Sequence, residues 1–416
     1  MKKTQPLNRM ALRFPVNYAG PAFESGTFTV GCNYWASHAG CFMWRDWRPE
    51  MVEQDFARLA GLGLKWLRIF PLWPDFQPLS VHYGQSGEPR FLAWKGEQPL
   101  PADGTLTDPV MLERLRFVCD CAERHGMKLI VALVTGWMSG RLFVPPAFES
   151  RNVLTDPEAV YHEIRLIREI VGFCKDHPAV AVWEPGNESN CMAPCSRDEA
   201  RLWLETITAV IRQADPSRPL AAGMHGLLPA ASGAKNPGGA WLVNDVGMAC
   251  DWLTTHPYPA FTPHAGTDRL GSFKSLFHAT AESLFYADLS GKPCFAEELG
   301  TLSGVCAGER VAAEYLQGTL QNLLFHDCRA LFWWCAFDQS RLPGAPYRWC
   351  AVERELGLFR PDGSLKPVGG VLAGFPDFAA RLPETPLPPF QRDAVVILTD
   401  PPHDRHINHI ITHIGD

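Results

Sequence analysis

Residues 180–189 read Val-Ala-Val-Trp-Glu-Pro-Gly-Asn-Glu-Ser, a short apolar run that gives way to carboxylates. A run this short and apolar is what a strand buried on both faces presents. A second stretch, residues 292–301, reads Lys-Pro-Cys-Phe-Ala-Glu-Glu-Leu-Gly-Thr and behaves in the same way. Glu188 and Glu298 are therefore expected where a strand ends and a loop begins, the edge at which a barrel gathers its functional side chains.

Outward from these two runs, the same alternation repeats. Strand candidates fall at 27–34, 64–70, 128–135, 180–183, 219–224, 252–256, 293–296 and 330–335. Helical patterns fall between and after them at 50–62, 109–125, 157–175, 197–214, 240–249, 270–288, 309–325 and 368–380. Eight strand–helix units with strands apolar on both faces predict an α/β fold, a closed (β/α)₈ TIM barrel. A doubly wound open sheet competes, but no Gly-x-Gly-x-x-Gly follows the first strand, where Gly31-Cys-Asn-Tyr-Trp stands instead. The barrel is expected to occupy residues 1–381 and a short Pro-rich extension residues 382–416. Residues 71–108, rich in Pro, Gly and aromatics, are expected to form a long loop over the barrel mouth.

Composition narrows the function classes. The chain has 416 residues, 46% hydrophobic and 20% charged, enough for a sizeable core. A net charge of −7 without a dense Lys/Arg run argues against a nucleic-acid partner. No apolar stretch reaches membrane-spanning length, and the start has no signal-like apolar segment, so a cytoplasmic protein without a membrane partner is expected. Thirteen cysteines at irregular spacing favour reduced thiols over a disulfide framework. Cys191 and Cys195 have metal-like spacing but lack a second pair, and His403, His406, His409 and His413 sit in a polar tail. No metal and no cofactor are expected.

Two carboxyl groups on one barrel face can hydrolyse a glycosidic bond, one protonating the leaving oxygen and one attacking the anomeric carbon. A lone strand-end Glu more often caps a helix or pairs with an Arg. That bland reading loses weight as other strand ends also supply pocket residues. Alternation on the second strand puts Trp66, Arg68 and Phe70 on one face, and Arg68 is a cation unlikely to be buried without a carboxylate. The sixth strand ends in His256 and Tyr258. The eighth carries Phe332-Trp-Trp-Cys, one of whose indoles must face inward as a platform for a sugar ring.

These blocks together, Trp183-Glu-Pro-Gly-Asn-Glu, His-Pro-Tyr, Lys-Pro-Cys-Phe-Ala-Glu-Glu-Leu-Gly and Phe-Trp-Trp, resemble glycoside hydrolase family 5 of clan A over roughly residues 28–380. The resemblance implies a retaining enzyme with Glu188 as general acid/base, Asn187 on the sugar 2-hydroxyl and Glu298 as nucleophile. It further implies Arg68 beside the nucleophile, His256 and Tyr258 near the reacting sugar, and Trp334 rather than Trp333 as platform. Glu297, by the period of two, is expected to point away as a structural residue. Ser189 stands where the family often has Pro, and the third strand ends Thr135-Gly-Trp137 without the histidine of many cellulase-like members.

The first-strand motif, Thr135-Gly-Trp137-Met-Ser-Gly and the Glu297-Glu298 doublet look more like the mannan-active branch. With Met43-Trp-Arg-Asp-Trp-Arg-Pro they are similar to bacterial β-mannosidases acting on short oligosaccharides, including Man-β-1,4-GlcNAc. The implied function is an exo-acting retaining β-mannosidase with an oligosaccharide substrate, Trp137 adding to the binding surface and residues 71–108, Trp44 and Trp47 closing one end of the cleft. An endo-β-mannanase or glucanase, a transglycosylase and a non-catalytic carbohydrate-binding barrel are the alternatives. Loop tryptophans would also be consistent with a homo-oligomer whose subunits complete each other's pockets. Electrostatically, Glu298 beside Arg68 is expected to be ionised and Glu188 protonated, with the two carboxyl groups about 5 Å apart.

Overall fold

A computed structural model describes residues 28–382 apart from 97, 103, 229–239, 260–267, 302–306, 327, 329, 343, 345 and 349. The tail histidines and all but the first residue of the expected extension lie outside the described residues.

Seven parallel strands form one curled sheet: β1 (Thr29–Asn33), β2 (Trp66–Ile69), β3 (Lys128–Val134), β4 (Val180–Gly186), β6 (Leu253–Thr255), β7 (Cys294–Leu299) and β8 (Ala330–Trp333). Their order is β4-β3-β2-β1-β8-β7-β6. Residues 220–221, here β5, close the ring, Leu220 bridging Trp183 and Ala221 bridging Trp252. The (β/α)₈ TIM barrel read from the sequence is therefore the fold, with the fifth strand cut to a two-residue bridge.

Helices α1 (Pro49–Gly61), α2 (Pro109–Arg124), α3 (Pro157–Cys174), α4 (Arg197–Ala214), α5 (Val243–Ala249), α6 (Phe273–Ser290), α7 (Glu309–Phe325) and α8 (Pro367–Ala380) follow the strands in turn. Local chemistry sets their starts. Asp108 caps α2, and Asp156 accepts from the backbone N–H of Glu158 and Ala159 at the start of α3, each with Pro in the first turn. Ser196 and Glu199 close a reciprocal capping box on α4.

The barrel interior is layered. Trp66, Ile130, Val182, Ala221, Trp252, Phe295, Ala330 and Phe332 form an apolar plug separate from the larger core between sheet and helices. Gly31 makes room for it, since a Cβ there would lie 2.5 Å from the Phe332 ring and 2.9 Å from the Trp66 carbonyl oxygen. Two residues further along, strand alternation lifts Asn33, Arg68, Glu184 and Glu297 into the next layer, all fully buried. An ionic layer thus rests on an apolar one, directly beneath the C-terminal ends of the strands.

The 71–108 segment departs from expectation. It folds into a one-turn helix, Trp73–Phe76, and an antiparallel pair, Leu79–Tyr83 with Pro89–Trp94. Trp44 is buried, stacked on Trp47 at 6.1 Å and donating its indole N–H to the Phe70 carbonyl.

Candidate active site

The C-terminal ends of β4, β6, β7 and β8 surround a cavity of about 270 Å³. It is lined by Trp137 to Gly140, Asn187, Glu188, Cys191, His225, Tyr258, Glu298, Trp334, Cys350 and Glu353. Among the described residues, neither the 71–108 segment nor Trp44 or Trp47 lines this cavity, which is lined instead by Trp137 to Gly140 and by Cys350 and Glu353 from the loop after β8.

Glu188 follows β4 in a left-handed backbone conformation, φ 46° and ψ 45°, an unusual one for a residue with a side chain. Its N–H donates to the Gly223 carbonyl at 2.6 Å, and Gly223, at φ +65°, leaves no room for a Cβ, which would lie 2.3 Å from the Gly186 oxygen. Glu188 Oε1 accepts from His256 Nδ1 at 2.7 Å and from His225 Nδ1 at 3.1 Å.

Glu298 Oε1 accepts from Arg68 Nη1 at 2.6 Å, and Oε2 accepts from the Tyr258 hydroxyl at 2.9 Å. His256 Nδ1 also lies 3.6 Å from Glu298 Oε2. Both carboxylates thus approach one nitrogen, and their nearest oxygens are no farther apart than those two legs together. That bound accommodates the roughly 5–5.5 Å carboxyl separation of retaining glycosidases.

Arg68 is held from beneath. Its Nε and Nη2 donate to Glu184 at 2.8–3.0 Å, its Nη1 reaches Asn33 Oδ1 at 3.3 Å, and the guanidinium lies 4.8 Å from the centre of the Phe70 ring. Arg68 and His256 are fully or almost fully buried and do not line the cavity, so they hold the carboxylates rather than face a ligand, as substrate-binding residues would. Asn187 donates to the Trp137 carbonyl at 2.8 Å, and among the described residues its buried Oδ1 has no partner. Trp334 lines the cavity and donates to Glu353 Oε2 at 3.1 Å, whereas the buried Trp333 donates to the Leu356 carbonyl.

Two expectations are corrected. Alternation was expected to turn Glu297 away, but Phe295 belongs to the interior plug, so the period of two puts Glu297 inside as well. Its Oε2 lies 3.7 Å from Arg68 Nη2 and 3.6 Å from His256 Nε2. Glu298 is the residue that a regular strand would aim outward. A register shift against β8 between Ala296 and Leu299 accompanies its turn into the cavity.

The second correction concerns protons. Burial raises the Glu188 carboxyl, but the His225 and His256 imidazoles outweigh it and hold Glu188 below the usual carboxylate range. Burial also raises Glu298, and the charge of Glu188 adds to it against the opposing His256 and Arg68, leaving Glu298 above the ordinary value. Burial lowers His256, yet the carboxylates of Glu298, Glu188 and Glu297 carry it up to about 10. His225 is also raised, burial opposing and Glu188 favouring its charged form. The expected order of the two glutamates is reversed because that expectation omitted both imidazoles.

Glu184, His225 and Glu353 were not singled out from the sequence. Glu184 could have been found, being two residues beyond Val182 on an inward face; His225 follows a two-residue strand, and Glu353 sits in a short 3₁₀ turn, Ala351–Glu353, far from any strand end. Among the described residues, Glu188, His225 and His256 form one group of clustered ligand-type atoms and Asp120, Glu123 and His177 another; Cys191 and Cys195 belong to neither.

Known proteins resemble this chain in sequence and in fold. A family model described as "Glycosyl hydrolases family 2, TIM barrel domain" matches residues 119–229. A probable mannan endo-1,4-beta-mannosidase F of Aspergillus flavus is 28% identical over 286 residues, covering 62% of this chain and 60% of that protein. The chain thus spans about 60% of the length of that relative. A GH5_18 protein of Streptomyces cattleya, solved with GlcNAc and as a variant with Manβ1-4GlcNAc, superposes with TM-scores of 0.72 and 0.71 at 23% identity, over 87% of this chain and 82–83% of that one. An exo-beta-1,4-mannosidase of Opitutaceae bacterium strain TAV5 gives a TM-score of 0.67 at 24% identity, over 86% of this chain and 61% of that one. The resemblance to the mannan-active branch of glycoside hydrolase family 5 is borne out.

Proposed function

We propose that this chain, a relative of the mannan-active glycoside hydrolases of family 5, is a retaining β-mannosidase that removes terminal mannose from short oligosaccharides such as Man-β-1,4-GlcNAc. The observation that carries the reading is the meeting of Glu188 and Glu298 on His256 Nδ1, which brings two carboxylates together at one cavity.

Glu298 attacks the anomeric carbon. Arg68 and Tyr258 fix both of its oxygens, so the carboxylate is aimed before the sugar arrives. Glu188 delivers a proton to the leaving oxygen and then, as base, activates the water that opens the glycosyl-enzyme. A hydrogen-bonded imidazole, His256 or His225, gives that proton to Glu188 as the negative charge of Glu298 is consumed in its bond to the anomeric carbon, and takes one back once Glu188 has acted as base and the ester has opened. Asn187 offers its Oδ1, which has no partner among the described residues, to a sugar hydroxyl, and Trp334 offers an indole face to the ring.

Exo action on short substrates is supported by the cavity, whose roughly 270 Å³ lies below the range of about 300–1,000 Å³ usual for ligand pockets. The name of the Aspergillus relative favours an endo enzyme as the second reading. A panel of p-nitrophenyl β-mannoside, β-glucoside and β-galactoside, with manno-oligosaccharides and Man-β-1,4-GlcNAc, separates the two. Single mannose units released with retained anomeric configuration are expected, and Glu298→Ala should abolish turnover while leaving the melting transition in place. Internal fragments would favour the endo reading, and unchanged turnover in Glu298→Ala would remove the mechanism.

A further inference from the structure

We propose that Glu188, His225 and His256 form an inhibitory site for a divalent cation with the chemistry of Zn²⁺, which on binding takes both imidazoles and the carboxylate of Glu188 out of use. The cation is an inhibitor and not a cofactor, because hydrolysis by two carboxyl groups has no step for it. The site itself goes beyond the glycosidase reading; only its consequence, inhibition, rests on that reading.

Three ligand-type atoms converge there. Glu188 Oε1 lies 2.7 Å from His256 Nδ1 and 3.1 Å from His225 Nδ1, and all three atoms fall within 4.8 Å of one another. A tetrahedral Zn²⁺ with bonds of about 2.0–2.1 Å holds its ligand atoms about 3.3 Å apart, so less than about 1 Å of movement by each imidazole turns this hydrogen-bonded triangle into a coordination site. The protons on the two Nδ1 atoms leave as the cation arrives. Two imidazoles and one carboxylate suit Zn²⁺, Co²⁺ or Cu²⁺ rather than Mg²⁺ or Ca²⁺, which are bound through oxygen. Glu188 and His225 both line the cavity, which gives the cation an entry path and a water as its fourth ligand.

A second observation lies behind His256. Its Nε2 is buried without a hydrogen-bond partner among the described residues and faces Glu297 Oε2 at 3.6 Å; both oxygens of Glu297 are buried without such a partner as well. A histidine that binds a metal through one nitrogen almost always donates its other N–H to a carboxylate, a backbone carbonyl or water, which fixes its tautomer. Glu297 stands where that acceptor belongs. Charge favours the same outcome: Glu184, Glu297 and Glu298 lie against Arg68, and Glu188 against the two imidazoles. With both imidazoles neutral, four carboxylates face one fixed cation, and a dication supplies the positive charge that two imidazolium protons otherwise supply. The other cluster, Asp120, Glu123 and His177, fails on its tautomer. His177 Nδ1 accepts the Ala179 N–H at 3.2 Å, so the proton of the neutral ring sits on Nε2, toward Asp120, and leaves no lone pair there for a metal.

The test uses the full chain, freed of metal with a chelator, as wild type, His225→Ala and Glu297→Gln, with thermal melting of each as a check on folding. Co²⁺ serves as the probe, because the four-coordinate ion absorbs visible light far more strongly than the hydrated one. Wild type should bind one Co²⁺ with that band, surrender it to Zn²⁺ but not to Mg²⁺, and lose turnover of p-nitrophenyl β-mannoside in step with binding of either metal. His225→Ala should lose the band. Glu297→Gln should bind about 10- to 100-fold more weakly, the usual effect of removing the group that orients a metal-bound histidine. His403, His406, His409 and His413 are common to all three proteins, so only the differences between them count. No band in wild type, a band unchanged in His225→Ala, or displacement by Mg²⁺ at the same concentration would overturn the inference while the glycosidase reading stands. A band that depends on His225 in a protein that turns over no β-glycoside would keep the site and remove that reading.

Discussion

Glu188 concentrates what residue-scale reasoning could and could not reach. Its position at a strand end was legible because an apolar run stops just before it. The two imidazoles that set its proton affinity were not, because His225 and His256 come from elements 37 and 68 residues away. If Glu188 is the acid, its removal should hurt most where the leaving group needs a proton. We expect Glu188→Ala to lose roughly 10²–10⁴-fold in turnover of Man-β-1,4-GlcNAc, within the range of general acid–base catalysis. An activated 2,4-dinitrophenyl β-mannoside, whose leaving group departs unprotonated, should lose far less in the step that forms the glycosyl-enzyme, read as a pre-steady-state burst. Equal losses on both would assign Glu188 to positioning rather than to proton transfer.

At the scale of elements, alternation explained more than it was asked to. Applied to β4 and β7 from Val182 and Phe295, it places Glu184 and Glu297 beneath Arg68. It fails at Glu298, because the irregularity between Ala296 and Leu299 interrupts the period, and no residue type in Ala-Glu-Glu-Leu announces such a shift. In the 71–108 segment, Pro and Gly punctuation masks the strands at Leu79–Tyr83 and Pro89–Trp94. Gly31 tests the layering directly. A methyl group there would press on the Phe332 ring, and the Trp66 carbonyl on the other side cannot swing away as a side chain could. Gly31→Ala should therefore cost about 1–3 kcal/mol, measured as a shift in the denaturant midpoint at unchanged slope. An unshifted midpoint would show that the plug yields at that point.

Over the whole molecule, the barrel stacks an apolar plug, a buried ionic layer and an open cavity along one axis, and the ionic layer couples stability to pH. The direction follows from the groups themselves. His256 is raised from 6.5 to about 10 by its carboxylate neighbours against the lowering effect of burial, so the stability it contributes is fully present below about 6.5 and is lost as pH rises through about 10. Glu297 works in the opposite sense. Burial would raise it, but Arg68 and His256 bring it from 4.5 to about 2, so its contribution is present above about 4.5 and lost as pH falls through about 2. Between these limits, about 4.5 to 6.5, the folded barrel should be most stable. Because each pKa unit corresponds to about 1.4 kcal/mol, the alkaline limb is on the order of a few kcal/mol. His256→Asn removes the titrating group while keeping a polar side chain of similar reach. Its melting temperature should be lower than that of wild type near pH 6 but should fall less steeply between pH 6.5 and 10. Parallel profiles for the two proteins would place the alkaline loss elsewhere in the molecule and leave His256 neutral in the folded barrel.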